Sequence, residues 1–580
     1  MENAHTMFLP TTREELDRLG WNELDVILVT GDSYIDSPFI GTAVIGKVLQ
    51  HAGYRVGVIA QPDIHSGYDI TRLGEPRLFW GVTGGSIDSM VANYTSLKKK
   101  RKSDDYTPGG SNNRRPDRAV IIYANLIRRY FKKTKPIVLG GIEASLRRIA
   151  HYDFWSDRVR APIIFDAKAD YLLYGMAEKA VVQLADALRD DADPRGIRGL
   201  CYIAGGHDND PTLLNYTELP SYETVAEDKR SFADMFRTFY QNNDALTAKG
   251  LYQKHDTRYL VHNPPALPLT QEEMDGVYAL NFDHVQHPFY ESIGKVRALE
   301  TIKFAIPTHR GCYGECNFCA ITVHEGRTVQ WRSEESVLTE ARQLTKYPDF
   351  KGYIADLSGP TANMYGFECK HKLQRGACPD KRCLYPEICP SLQADHRQHL
   401  ELLRQIRSVE GVKKVFVASG IRYDLLLNDK ECGKDYLREV VEHHVSGQMK
   451  VAPEHTEDHV LVKMGKPGTA SLVEFKQLFD RMTCEAGKEQ FLTYYLIAAY
   501  PGCTDEDMRH LKRFASRTLK INPEQVQIFL PTPSTYAALM YYTGMDPFTG
   551  KPLFVEKDPV KKEKQKNIAV EKQENRRVAH

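Results

Sequence analysis

Ten residues constrain this chain more than any others: Gly311, Cys312, Tyr313, Gly314, Glu315, Cys316, Asn317, Phe318, Cys319 and Ala320. They follow the short apolar stretch Ile302 to Pro307, so a strand running into a glycine-flanked loop presents three thiols at Cys-x3-Cys-x2-Cys spacing just past the strand's end. Free thiolates held this close repel one another, and the arrangement makes sense with a metal centre between them. Soft sulfur ligands favour zinc, Cu(I) or iron–sulfur. An iron–sulfur cluster ordinarily takes four cysteines, so three leave one iron open to a ligand that is not protein. The competing reading is a structural Cys3His zinc site completed by His309 or His324.

Cysteine usage agrees with a metal centre. Of eleven cysteines, only Cys201 precedes Cys312, while seven lie between Cys312 and Cys389. Clustering of this kind points to metal binding in a reducing compartment rather than a disulfide framework. Met1 to Pro10 has no basic stretch followed by an apolar one, and the longest apolar run, around Tyr494 to Tyr500, is far shorter than a membrane span needs. A cytoplasmic protein with no membrane partner is expected.

At 580 residues the chain needs several cores. Thr12 and Glu15 form a capping-box pattern that opens a helix ending at Gly20. Asp25 to Thr30 and Arg55 to Ala60 read as strands around a helix from Thr42 to His51, with a loop from Gly31 to Gly41. Pro136 to Gly141, Asp170 to Gly175 and the helical Glu178 to Leu188 continue this βαβ alternation. Beyond Leu299, strands are expected at 303–307, 352–356, 415–418, 448–452, 491–499 and 525–530. Helices fall between them, among them 333–344, 396–409 and 436–444.

Between Leu97 and Pro136 stand thirteen basic residues against Asp104, Asp105 and Asp117, in a chain whose net charge is +1. The run opens with Lys98 to Lys102. It reads either as a patch that tracks the phosphates of RNA or, with more weight, as a solvated loop and an amphipathic surface helix. A second group, Cys369, Cys378, Cys383 and Cys389 with His371 nearby, is a possible second metal site, zinc or an auxiliary cluster, or a set of thiols that bind nothing. Cys201, Cys432, Cys484 and Cys503 read as ordinary buried thiols.

The cysteine run, with Phe318 just before the last cysteine, resembles the signature of radical S-adenosylmethionine (SAM) enzymes. The resemblance implies that Cys312, Cys316 and Cys319 hold a [4Fe–4S] cluster whose open iron chelates SAM. Reductive cleavage of SAM then yields a 5′-deoxyadenosyl radical that abstracts hydrogen from a substrate, with a low-potential electron donor as partner. It further implies an open (β/α)6 barrel with its site at the carboxyl ends of the strands. Ser358 and Gly359 stand where the family's Gly-Gly-Glu element holds the SAM amino group, and Glu454 ends the fourth strand. Arg422 stands where polar groups meet the ribose and carboxylate, and either pairs with the methionyl carboxylate as a planar fork or forms a surface ion pair. The flanks after the cysteines, Glu325 to Ser333, look like those of methylthiotransferases and lean toward RNA as substrate.

More closely, GDSYIDSPFIG (31–41), THRGCYGECNFCAI (308–321), SGPTANMYG (358–366) and VAPEHTEDHVLVKM (451–464) resemble the YgiQ family of radical SAM proteins. The order of pieces gives an α/β chain: an N-terminal Rossmann-like domain of cobalamin-binding type (1–205), a connector (206–295), and a radical SAM barrel (296–556) with a Cys-rich insert (366–392). A disordered charged tail (557–580) follows. The stretch 31–41 lacks the Asp-x-His-x-x-Gly box that ligates cobalt, so a domain without that cofactor is expected.

Overall fold

The computed structural model describes residues 8–205, 213, 215–524 and 526–571, the side chain of Ser358 apart. Five strands begin the fold: β1 (Val26–Thr30), β2 (Val56–Ala60), β3 (Phe79–Thr83), β4 (Ile137–Gly140) and β5 (Tyr171–Leu173). Every residue of β1 and β2 is buried, which is why these strands read as unbroken apolar runs rather than alternating ones. They pair in parallel in the spatial order β2-β1-β3-β4-β5. The chain runs outward from β1 to β2 and then returns to the other side of β1. That reversal opens a crevice at the carboxyl ends of the strands.

Thr12 caps the Arg13–Leu19 helix through a complete capping box, and Gly20 ends it in the left-handed region. The stretch 31–41, expected as a loop, is pinned: Ile35–Asp36 pairs with Val285–Gln286, and the buried Asp36 carboxylate meets Lys47 at 3.2 Å.

The connector needs correction. Four more strands, β6 (Leu200–Gly205), β7 (Thr217–Leu219), β8 (Leu251–His255) and β9 (Arg258–His262), extend the first sheet to nine strands. Three strands of 206–295 therefore join the N-terminal sheet; residues 206–212 lie outside the described residues. The hairpin of β8 and β9 buries residues at one end only, so its sequence carries no sustained apolar period for a reader to find.

The second half supplies β10 (Ala305–Pro307), β11 (Tyr353–Ile354), β12 (Asp356–Ser358), β13 (Lys414–Val415), β14 (Gln448–Glu454), β15 (Phe491–Ala498) and β16 (Val526–Ile528). β11 and β12 are one strand interrupted at Ala355, whose N–H turns to Phe304 O at 2.7 Å. β10 pairs with β12, β11 with β13, β14 with β15 and β15 with β16, all in parallel. A bridge from Ile421 to Val451 links the third strand position to the fourth. The result is an open six-position barrel wrapped by helices such as Glu334–Leu344, capped by Ser333. Gln525, expected to start the last strand, lies outside the described residues. One apolar core runs through both halves, joining Leu139 to Val323 and Val451.

The tail also needs correction. Pro559–Val570 is a helix, capped by Asp558 with proline in its first turn, and it packs on the barrel through Lys562, Gln565 and Ala569. Gln565 Oε1 accepts from Ala499 N at 3.0 Å, and Lys562 Nζ donates to Tyr541 Oη at 2.7 Å. The buried face sits at i, i+3, i+7 but is polar, so hydropathy alone made it look unstructured. Residues 572–580 lie outside the described residues.

Candidate radical SAM active site

The cysteine loop is fixed by backbone requirements at both ends. At Gly311, with φ +81°, an added Cβ would lie 2.2 Å from Thr328 O, so only glycine fits. The preceding pair His309–Arg310 forms a short antiparallel ladder with Gln330–Trp331. Glu315, between the first two cysteines, has φ +46°, an uncommon conformation for a non-glycine residue. Its buried carboxylate faces Arg327 at 3.5 Å, and its carbonyl accepts from Arg382 Nη1 at 2.9 Å. On the far side Asn317 N donates to Met464 O (2.9 Å), Asn317 Nδ2 to Lys463 O (2.8 Å), and Ala537 N to Asn317 O (2.8 Å).

All three thiols are half-buried and unpaired. Burial, then the neighbouring Cys316 sulfur, pushes Cys312 upward, and burial with both neighbours does the same to Cys319. Such thiols give up their protons only to a cation. Gly314 N donates to Cys312 Sγ at 3.3 Å, and Arg422 Nη1 lies 3.7 Å from Cys316 Sγ. A tetrahedral zinc thiolate set holds its sulfurs about 3.8 Å apart. Among the described residues no trio of ligand atoms within 4.8 Å of one another includes a cysteine, so the loop is wider than one ion requires. His309 is committed elsewhere, to Thr308 Oγ1 at 2.8 Å and Thr361 O at 3.0 Å.

The other residues singled out in the sequence gather around this loop. Gly359 lies against the His309 ring, where an added Cβ would be 2.0 Å from Cε1. Ser358 ends β12 beside it. Arg422 is not a surface group: it is 8% exposed and grips Asp424 with Nε at 2.8 Å and Nη2 at 2.9 Å. Glu454 follows a register shift in β14 and has φ +69°. Burial pushes its carboxyl up, against the attraction of Lys466 at 3.7 Å. A non-glycine residue held this way is a common mark of a working site. Phe318 stands edge-on to Tyr500, 6.3 Å between centroids.

Sequence reasoning missed Asp424, Asn363 and Thr361. Asn363 clamps both backbone groups of Arg422 (2.7 and 3.0 Å), and Thr361 Oγ1 lies 3.8 Å from Cys312 Sγ. The only signal for Asp424 was an acid two residues after an arginine.

The Cys-rich insert packs on the Tyr313 side of the loop in a small core of its own with Phe367, Cys369, Leu384 and Leu392. Lys372 reaches Glu368 at 2.9 Å, Arg327 O at 2.7 Å and Cys383 Sγ at 3.9 Å. Among the described residues, no three of Cys369, Cys378, Cys383 and Cys389 bring their sulfurs within 4.8 Å of one another. Of the four cysteines expected to be buried, Cys201, Cys432 and Cys503 are; Cys484 is exposed on its helix. Only burial of a side chain separates these cases, and a lone cysteine in sequence does not report it.

A cavity of about 590 Å³ lies between the carboxyl ends of β3 and β4 and the barrel mouth. Pro307, His309, Asp356 and Gly359 form its barrel side. The buried ion pair of Glu178 with Arg310 joins the two halves at its edge.

A family model described as Radical SAM N-terminal matches residues 8–305. A UPF0313 protein of Fusobacterium nucleatum is 56% identical over 98% of this chain and 100% of its own length. One from Thermotoga neapolitana is 48% identical with the same coverage. The chain belongs to the UPF0313 (YgiQ) family. It is therefore an enzyme of the radical SAM superfamily. Among solved structures, the radical SAM enzyme OxsB, described as cobalamin-dependent and with aqua-cobalamin bound, superposes with a TM-score of 0.50 at 13% identity, over 91% of this chain and 57% of that one. That likeness gives the fold: a Rossmann-like sheet domain followed by the radical SAM barrel.

Proposed function

We propose that Cys312, Cys316 and Cys319 hold a [4Fe–4S] cluster, and that this UPF0313 protein cleaves SAM reductively and abstracts hydrogen from a substrate. The observation that carries the reading is a loop of three half-buried thiols free of disulfides, with Gly314 N and Arg422 Nη1 directed at two of the sulfurs. When bound, the cluster would supply the one electron that breaks the sulfonium's bond to the 5′ carbon of SAM, giving methionine and a 5′-deoxyadenosyl radical. The chain's own residues do the rest. Gly314 N–H and the Arg422 guanidinium stabilise negative charge on the sulfurs. Asp424 fixes that guanidinium, and Asn363 fixes its backbone. The backbone at Ser358 and Gly359, with the Glu454 carboxylate, receives the amino end of SAM, while Phe318 and Tyr500 exclude water.

The aqua-cobalamin is described for OxsB, and ligation of cobalt by a histidine of 31–41 is not open to this chain. The stretch 31–41 has no histidine. Its Asp32 is instead locked to Arg115 at 2.8 Å, deep in the domain, so we derive no corrinoid step. A reducing, cytoplasmic setting fits the unpaired cysteines; no described helix is long and apolar enough to cross a membrane. Lys98 to Lys102 are all exposed and offer RNA a surface contact away from the site, and a low-potential donor is required as partner.

The test is anaerobic reconstitution followed by 5′-deoxyadenosine assay under reduction with SAM. Wild-type protein is expected to be brown and active, and Cys316→Ala colourless and inactive. Unchanged turnover in that variant refutes the ligand assignment.

A further inference from the structure

The cavity between the two halves meets the proposed SAM site at Gly359 and extends beyond it to the sheet of the N-terminal unit. Its sheet side is apolar, formed by Leu28, Phe79, Val82 and Val138, and its polar groups cluster at the barrel side. Glu178 is 3% exposed, gives Oε1 to Arg310, and leaves Oε2 buried without a hydrogen-bond partner. His324 Nδ1, on the same wall, is also buried and unpartnered. Two further carboxylates, Glu325 and Asp356, line the space. The one cation there, Arg310, is already satisfied by Glu178 and by Tyr278 Oη at 2.9 Å. Buried acceptors without donors are costly, and the cheapest remedy is a ligand that brings donors.

We propose that this cavity is the substrate pocket of the enzyme, and that it takes a compact molecule with an apolar body and a hydrogen-bond-donating amine or amide, not a nucleic acid or other phosphate. The proposal rests on the radical SAM reading and narrows its substrate class. A volume of about 590 Å³ suits a small molecule, and a strand of RNA finds no unpaired cation to meet its phosphates. The pocket opens on Gly359 and His309, so such a ligand lies next to the cluster loop. The start of the Gly41–His51 helix also faces the space, with no acid in its first turn, and gives an anion one place to bind.

The experiment uses a matched pair of probes, 1-naphthylmethylamine and 1-naphthyl phosphate, titrated by fluorescence into full-length, reconstituted protein with saturating SAM. The amine is expected to bind at least about tenfold more tightly than the phosphate, and Glu178→Gln to erase that preference. At Gly140 an added Cβ meets nothing closer than Leu173 O at 3.9 Å, so the backbone accepts a side chain at this lining position, and Gly140→Leu is expected to weaken the amine at least about tenfold. Equal or tighter binding of the phosphate overturns the proposal. So does amine affinity unmoved by Gly140→Leu, a preference unmoved by Glu178→Gln, or amine binding that is seen only in a parallel titration without SAM, which would make the cavity the SAM pocket. 5′-Deoxyadenosine formation is measured on the same samples without probe. Its absence would sink the radical chemistry and leave the probe result standing.

Discussion

Replacing Arg422 by methionine tests whether its charge or its bulk matters. The guanidinium is 8% exposed and makes a two-pronged pair with Asp424, itself 7% exposed, at 2.8 and 2.9 Å. Methionine fills similar volume but leaves the carboxylate buried and unpaired, which costs about 3–5 kcal/mol. With a urea slope near 3 kcal/mol/M, the unfolding midpoint is expected to fall by about 1 M or more. The double variant with Asp424→Leu removes the stranded charge as well, and is expected to recover more than half of that loss. 5′-Deoxyadenosine formation is expected to fall in both, since neither keeps a cation 3.7 Å from Cys316 Sγ. Urea titration of the reconstituted proteins, read by tryptophan fluorescence and by cluster absorbance, gives the first quantity. A loss under about 1 kcal/mol in the single variant would show the pair to be solvated and remove the role assigned to it.

Three other outcomes follow from the same structure. Burial pushes His284 down to about 4 from 6.5; the unfolded chain takes its proton first, so stability is unaffected above pH 6.5 and falls as pH drops toward 4. The loss reaches about 2–3 kcal/mol by pH 4.5, and His284→Phe should flatten that slope in urea midpoints measured between pH 7 and 4.5. Truncation after Lys557 strips the Gln565 and Lys562 contacts from the barrel and is expected to open β15 and β16 to limited proteolysis. If Lys98 to Lys102 engage RNA, affinity must fall steeply between 50 and about 200 mM salt; a flat response ends that idea.

Particular elements show where reading a sequence works. β1 and β2 were plain because both faces are covered, and the Cys312 loop because a glycine and three thiols have few other uses. Ser333 and Thr12 marked helix starts through short-range hydrogen bonds that lie within four residues. The hairpin of β8 and β9 was invisible because its worth comes from joining a sheet built 50 residues earlier and not from its own pattern. The Pro559–Val570 helix was hidden for the opposite reason, since it buries lysine and glutamine. Arg115 shows the same limit: within a strongly basic run it turns inward, fully buried between Asp32 and Asp104, and charge counting alone cannot separate it from its exposed neighbours. At the site, Asn363 and Thr361 escaped because hydrogen-bonding partners distant in sequence leave no local trace.

The anchors of the cysteine loop have a consequence for how the enzyme is made. Asn317 is held by Lys463, Met464 and Ala537, all of which are synthesised well after the thiols. At about 5–20 residues per second, a nascent chain waits roughly ten to forty seconds between the emergence of Cys319 and that of Ala537. Through that interval the three sulfurs stand open to iron delivery, and equally to stray zinc or oxygen. Once the last anchor arrives, the loop closes, and exchanging whatever metal was captured requires prising the late segments away again.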